Sequence, residues 1–466
     1  MNISIDELVR VTEGKLITAH DTDKTSVGAK ILKNIATDSR KTDEDSLFIA
    51  FRGENVDGHK FLTSALAGAP AALIEEDFGT EALADQQPQT DKAYIRVDDC
   101  LAALQKIGKY MRSLYKGGHI IGVTGSVGKT TTRELISHGL AASLKVFHTE
   151  GNNNSQIGVP LTLSRILDSE SDVSVLEMGI SEPGGMDKLT DMVNPDIAVV
   201  TNIGIAHIEF LKTQEGIREE KLRITGRMNP DTGVLFLNAD DRLLRDIKGK
   251  TNIKTFYYGT DESADYRAEN LTTENGMSVF DFCYKGNRVK VTSSALGRHN
   301  VLNLTAALGV ADYLGLDVKK TAESFVSFKG QRQNIISTSA GYTIIDDTYN
   351  ASVDSMKAAL NVLCNDIKVE GRRVAVLGSM FELGERSAEY HKEIGTFLND
   401  KNIDEIVILG EDAEYYKEGN SIPSKSFKSN AEAAEYLKGI LKDKDAVLLK
   451  ASNGMKLSEI VKEIKC

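Results

Sequence analysis

Short apolar runs, set between stretches whose apolar positions fall three and four apart, recur along most of this chain. Runs of that length read as buried strands, and the three-four spacing reads as helices with one face turned to a core. In the first hundred residues the pattern predicts strands at 47–51, 71–74 and 94–97, with a helix near 62–67. A longer amphipathic helix follows, with Leu101, Leu104, Ile107, Met111 and Leu114 as its apolar stripe. A strand at 120–123 then leads through a glycine-rich turn into a helix carrying Leu135, Ile136, Leu140 and Leu144 on one side. Two more core strands are predicted at 173–176 and 197–201, and hairpin-like strands between 256 and 291.

From about residue 329 the pattern becomes regular. Strands at 343–346, 374–377, 406–409 and 446–449 alternate with helices at 355–367, 388–398, 431–441 and 457–464. Ser429 followed by Glu432 predicts a capping box opening the third of these helices. Strands alternating with helices of this length imply an α/β fold with a parallel, doubly wound sheet. Three sections result: 1–100, 101–328 and 329–466.

At 466 residues the chain needs more than one core. Its 41% hydrophobic and 27% charged content suits a soluble enzyme, and no apolar run is long enough to span a bilayer. A signal-peptide pattern is absent from the first residues, so a cytoplasmic protein without membrane insertion is expected. Cys100, Cys283, Cys364 and Cys466 lie far apart, which argues against structural zinc and a disulfide framework. The net charge of −12 argues against nucleic acid as a partner. A monomer is the expectation.

The segment from Gly122 to Thr132 carries the chemistry. Gly125-Ser126-Val127-Gly128-Lys129-Thr130-Thr131 joins a strand to a helix. Glycines let backbone N–H groups turn inward, the helix start adds partial positive charge, and lysine adds a full one. The threonine hydroxyl after the lysine is suited to Mg²⁺. Val123 stands where the strict G-x-x-x-x-G-K-[ST] pattern has its first glycine. Glu177 and His207 each lie just past an apolar strand, and in open α/β sheets ligands gather beyond the carboxyl ends of strands. A carboxylate, an imidazole and a hydroxyl could thus converge on cations bound to a triphosphate. Lys221, within GIREEKLRI, reads alone as a solvated helix lysine.

These residues resemble the Mur ligases, ATP-dependent amide-forming enzymes of cell-wall precursor synthesis. The resemblance is carried by the TGSVGKTTT loop, Asp38-Ser39-Arg40, Phe51-Arg52-Gly53-Glu54 through His59, and the 151–162 block. It continues through Glu177-Met178-Gly179, Asn202-Ile203-Gly204 with His207, the 297–303 block, Asp346-Asp347-Thr348-Tyr349-Asn350, and Glu382-Leu383-Gly384-Glu385 with His391. It implies a three-domain architecture: an N-terminal UDP-sugar domain, a central P-loop ATPase and a C-terminal Rossmann-like parallel sheet. The substrates implied are ATP with Mg²⁺, UDP-N-acetylmuramoyl-tripeptide and D-alanyl-D-alanine. Alternatives are a paralogue adding another amino acid, a folylpolyglutamate synthetase, or a nucleotide-binding regulator lacking ligation.

The resemblance also implies roles for single residues. Gly125 to Thr131, with Lys129, would hold the ATP phosphates. Thr130 and Glu177 would share one Mg²⁺, and His207 would serve a second. Lys221 falls at the relatives' carbamylated lysine. Asn303, Arg332, Asp346 and Tyr349 fall where relatives grip ATP, with Tyr349 as an adenine platform. Ser39, Arg40, His59, Asn152, Asn154 and Asn350 fall in substrate-facing blocks. Val353, Ser379 and Asn453 depart from the branch's usual Pro, Asp and Arg, in the section expected to present the dipeptide.

Overall fold

The computed structural model describes residues 1–19, 22–53, 56–75, 91–330 and 332–465. Glu54 and Cys466, both singled out above, lie outside the described residues. Two compact units are formed: 1–122, 144–178 and 187–195 in the first, and 123–143, 179–186 and 196–466 in the second.

In the first unit a five-stranded sheet is ordered 15–18, 93–97, 71–75, 46–49, 34–36. Lys15–Thr18 runs antiparallel to its neighbour and the remaining pairs are parallel. The helix Cys100–Leu114 starts on Asp99, whose carboxylate accepts the Ala102 N–H at 2.6 Å. Its buried stripe is Cys100, Ala103, Leu104, Ile107 and Met111, so the face is rotated from the expected one, and Leu114 is exposed. Alanine and cysteine, small enough to approach the sheet, displaced the bulkier leucines from the contact. Val173–Glu177 pairs in parallel with Val146–His148, which ends this unit's second sheet segment.

In the second unit Ile197–Val200, Val234–Asn238 and Lys254–Gly259 are parallel neighbours. Residues 254–259 therefore extend a parallel sheet rather than open a hairpin. The antiparallel meander begins only at Tyr266–Glu274 and continues through Met277–Tyr284 and Asn287–Ser293. The helix Lys129–Ala141 buries Leu135, Ile136 and Leu140, and it ends before Leu144.

The last six strands order 334–337, 343–346, 446–450, 373–378, 405–409, 424–427. All pairs are parallel except the edge strand Asn334–Ser337, which is antiparallel and was not anticipated. Alternation along the strands fills two separate cores. Ala375, Leu377, Ile406, Ile408 and Leu448 face one, and Val374, Val376, Val407, Leu409 and Val447 face the other. Burial on both faces is why these strands read as unbroken apolar runs. Ser429 caps its helix by accepting the Glu432 N–H, but the Glu432 carboxylate turns to the Lys428 N–H, so only half the expected box forms. The reciprocal box is at Ser352 and Ser355, opening Val353–Asn361, which passes into a π-helical segment at Val362–Asp366. Ser352 thus provides the cap where the family pattern has Asn-Pro, and Val353 takes the first helical position.

Candidate functional site

Strand Ile120–Thr124 ends where the phosphate-type loop begins, and the Thr201 N–H donates to Thr124 O at 2.9 Å. A Cβ on Gly125 would lie 1.9 Å from Thr201 Oγ1, so only glycine lets the loop pass this strand. Gly128 sits at φ 81 and starts the helix without a side-chain cap. A helix start of this kind, uncapped by a side chain, is suited to an anion. Across from it, Asn303 Oδ1 would be 3.2 Å from a Cβ on Gly128. This cradle of glycines and helix start fits a bound phosphate chain.

Two residues that sequence reasoning quoted without giving them roles shape the loop. Asn202 Oδ1 accepts from Ser126 N at 3.1 Å and Val127 N at 2.8 Å. The Thr201 hydroxyl donates to Val127 O at 2.5 Å. Both follow the strand Ile197–Val200, and no local pattern in TNIG announces a contact seventy-odd positions away.

Lys129 Nζ donates to Gly125 O at 2.8 Å and Ser126 O at 3.2 Å. Lys221, far from being a solvated helix lysine, is fully buried and donates to the same Gly125 O at 3.0 Å. Burial first, and the Lys129 charge second, push its amine well below the usual lysine range, with Glu220 opposing. Glu220 is itself buried and accepts the Met186 N–H at 2.9 Å.

His207 takes a left-handed backbone, φ 64, and its Nδ1 lies 2.6 Å from Glu382 Oε2. That contact, reinforced by the charges of His207 and Lys129, holds the Glu382 carboxyl below its usual range despite partial burial. Arg332 donates to Thr130 Oγ1 at 3.4 Å, and its guanidinium lies over the Tyr349 ring. Tyr349 is 39% exposed, so one ring face is occupied by Arg332 rather than open for a base. Asp346 Oδ1 accepts the Thr348 hydroxyl at 2.7 Å and thereby fixes the turn after its strand. Lys450, buried, holds that turn from behind through Asp347 at 2.6 Å and Asn350 O at 3.0 Å. Asn350 spends its own Oδ1 on the Ala351 N–H.

In the first unit, Glu177 ends its strand buried, with Oε1 accepting from Asn154 Nδ2 at 2.7 Å. Asn152 contributes its carbonyl to the Asn154 N–H. Arg40 is exposed and forks onto Asp38, and the Ser39 carbonyl accepts the Thr42 hydroxyl. The guanidinium holds the Asp38 carboxyl well below the usual range. His59 departs from the expectation of a ligand contact. It is fully buried, with Nδ1 2.7 Å from Asp57 and Nε2 accepting the Glu75 N–H at 3.1 Å, so both nitrogens serve the scaffold. His391 is a second scaffold histidine: Nδ1 donates to Ser387 O, Nε2 accepts the Met380 N–H, and burial lowers its pKa. A cavity of about 200 Å³ beside Asn34, His148, Asn153 and Arg165 includes none of the anticipated residues.

A glycine-lined loop carrying a lysine, followed by a helix start and set in parallel α/β sheets, defines a nucleotide-phosphate-binding enzyme fold. Comparison with known proteins narrows the class. The Mur ligase middle domain matches residues 123–311, the "Mur ligase, glutamate ligase domain" matches 331–453, and the "Mur ligase family, catalytic domain" matches 32–112. The UDP-N-acetylmuramoyl-tripeptide--D-alanyl-D-alanine ligase of Bacillus subtilis is 37% identical over 447 residues, 93% of each chain. The ligase of the same name from Haemophilus influenzae is 30% identical over 481 residues, covering 100% of this chain and 99% of that one. Among solved structures, MurF from Acinetobacter baumannii superposes with a TM-score of 0.87 at 27% identity, covering 100% of this chain and 99% of that chain. MurF from Thermotoga maritima in complex with ADP gives 0.81 at 29% identity, covering 93% and 97%. The chain belongs to the Mur ligase family.

Proposed function

We propose that this chain is an ATP-dependent ligase joining D-alanyl-D-alanine to UDP-N-acetylmuramoyl-tripeptide in peptidoglycan precursor synthesis. The observation that carries the reading is the Lys129 loop, shaped for a triphosphate, within a chain similar along its length to ligases of that name. It works in the cytoplasm, and the sections 1–100, 101–328 and 329–466 serve as its domains. Among the described residues no helix is long and apolar enough to cross a membrane.

A carboxylate is inert toward amines because oxide is too poor a leaving group. The terminal carboxylate of the tripeptide attacks the γ-phosphorus, ADP departs, and an acyl phosphate forms. The D-alanyl-D-alanine amine then adds to the carbonyl, loses a proton, and phosphate leaves from the tetrahedral adduct. Lys129 and the start of the helix that follows it steady the charge passing onto the leaving ADP, and orientation supplies much of the remaining acceleration. Asn303, Arg332, Asp346 and Tyr349 hold the nucleotide. Ser39, Arg40, Asn152, Asn154 and Asn350 orient the peptide substrates.

The donor set of Thr130 hydroxyl, Glu177 carboxylate and His207 imidazole suits Mg²⁺ held largely by nucleotide phosphates. Among the described residues no three His, Cys, Asp or Glu side chains gather into an all-protein cage, and Mg²⁺ seldom uses one. When bound, the cation offsets phosphate charge. Lys221, whose amine burial pushes well below the usual lysine range, is suited to add CO₂ and release a proton, giving a carbamate anion.

Phosphate release measured with UDP-N-acetylmuramoyl-tripeptide, with and without D-alanyl-D-alanine, tests the reading. Turnover should require both. ATP binding without turnover would leave a regulator instead, and robust ADP release by Lys129→Ala would overturn the loop assignment.

A further inference from the structure

Asp346 ends the strand Thr343–Asp346, and Tyr349 lies in the turn that follows it. Both are among the residues assigned to the nucleotide under Proposed function. The sheet anchors only the near end of this turn, where the Asp347 N–H donates to Leu449 O at 3.1 Å. Further out, side chains hold it. Lys450 ends the neighbouring parallel strand Ala446–Lys450 and reaches across to both ends of the 347–350 span. Its Nζ donates to Asp347 Oδ2 at 2.6 Å and to Asn350 O at 3.0 Å.

Stability does not account for this pair. The Lys450 side chain is 2% exposed and that of Asp347 18%, and taking two such charges out of water costs about what their attraction returns. Burial pushes the Asp347 carboxyl above its usual range, and the charge and hydrogen bond of Lys450, with the Arg332 charge, only partly draw it back. Apolar side chains of similar size would serve folding as well. They would not fix where the 347–350 span lies, whereas two directed hydrogen bonds from one ammonium do. Arg332 lies over the Tyr349 ring and donates to Thr130 Oγ1, so the position of this turn bears on the phosphate loop as well.

We infer that Lys450 is a positioning residue for the nucleotide: by holding Asp347 and Asn350 O, it presents Asp346 and Tyr349 in the one form of the turn that ATP fits. This rests on the reading of those two residues given under Proposed function. Lys450 acts through the turn, not by touching the nucleotide.

The test uses the full chain with ADP as the probe, affinity being read by calorimetry and stability by the melting temperature. Lys450→Met/Asp347→Leu removes both charges at similar volume, so its melting temperature should stay near the parent's. If the freed turn visits the binding form about a tenth of the time, ADP should bind roughly 10-fold more weakly. Lys450→Met alone strands the Asp347 carboxylate and should lose that affinity together with stability. Asp347→Asn keeps an oxygen for Lys450 and should keep most of the affinity. Tyr349→Ala checks the underlying reading and should weaken ADP binding. If it does so while either folded Lys450 variant binds ADP like the parent, this inference is overturned and that reading stands. Failure of both Lys450 variants to fold would make the lysine structural and overturn it too. If Tyr349→Ala leaves ADP binding unchanged, the turn does not hold the nucleotide and both readings fail.

Discussion

Adding one methyl group at Gly125 tests how closely the loop is built against its neighbouring strand. The new Cβ would lie 1.9 Å from Thr201 Oγ1, 3.0 Å from Thr201 Cβ and 3.1 Å from Thr201 N. The hydroxyl is tied to Val127 O, and the Thr201 N–H is tied to Thr124 O in the sheet, so neither atom moves freely. Overpacking of this sort costs about 1–3 kcal/mol. If Thr201 turns aside, it loses its bond to Val127 O, worth about 1 kcal/mol. A loop displaced by about 2 kcal/mol from its binding shape should bind ADP roughly 30-fold more weakly. Calorimetry of ADP with Gly125→Ala measures this, and urea unfolding reads the stability loss. Gly125→Ala/Thr201→Ala removes the shortest contact but leaves the one at 3.0 Å, so it should recover part of the affinity. Wild-type binding by the single variant, or strictly additive effects in the pair, would refute the packing argument.

Two further outcomes concern buried bases. Lys221→Met removes an amine whose folded pKa lies well below its unfolded one. In the parent the unfolded chain binds the extra proton across that interval, so stability should rise with pH through it, and the variant's curve should be flatter. Urea midpoints of ligand-free protein between pH 7 and 10 check this, and equal slopes would contradict it. Burial likewise lowers the His391 pKa, so the parent should lose stability as pH falls below the ordinary histidine value of about 6.5. His391→Gln should be less stable than the parent at pH 8, with the gap narrowing at pH 5.5; a constant gap would show that folding leaves the His391 pKa unshifted.

The parallel sheet of the C-terminal section was legible because strands buried on both faces must be apolar throughout, as 374–377 and 446–449 are. The phosphate loop was legible because its chemistry needs particular residues in a short span. Contacts made across the fold were not. Lys221 sits among charged neighbours, and nothing in GIREEKLRI reveals that it enters a fully buried place beside Gly125. Asn202 lay within a recognisable block, yet its role depends on partners far along the chain. His59 shows the converse, since membership in a substrate-facing block did not distinguish a ligand contact from a residue that braces the loop behind it. The strand 254–259 reads like the meander it precedes because both are rich in aromatics, and only the pairing partner separates parallel from antiparallel.

The Asn202 amide has a kinetic implication. By occupying the Ser126 and Val127 N–H groups, it braces the loop without help from a nucleotide. Arrival of ATP then requires little chain ordering, and departure of ADP leaves no collapsed loop to reopen. An enzyme made this way should reload quickly, and its pace would be governed by the meeting of its peptide substrates rather than by refilling of the nucleotide seat.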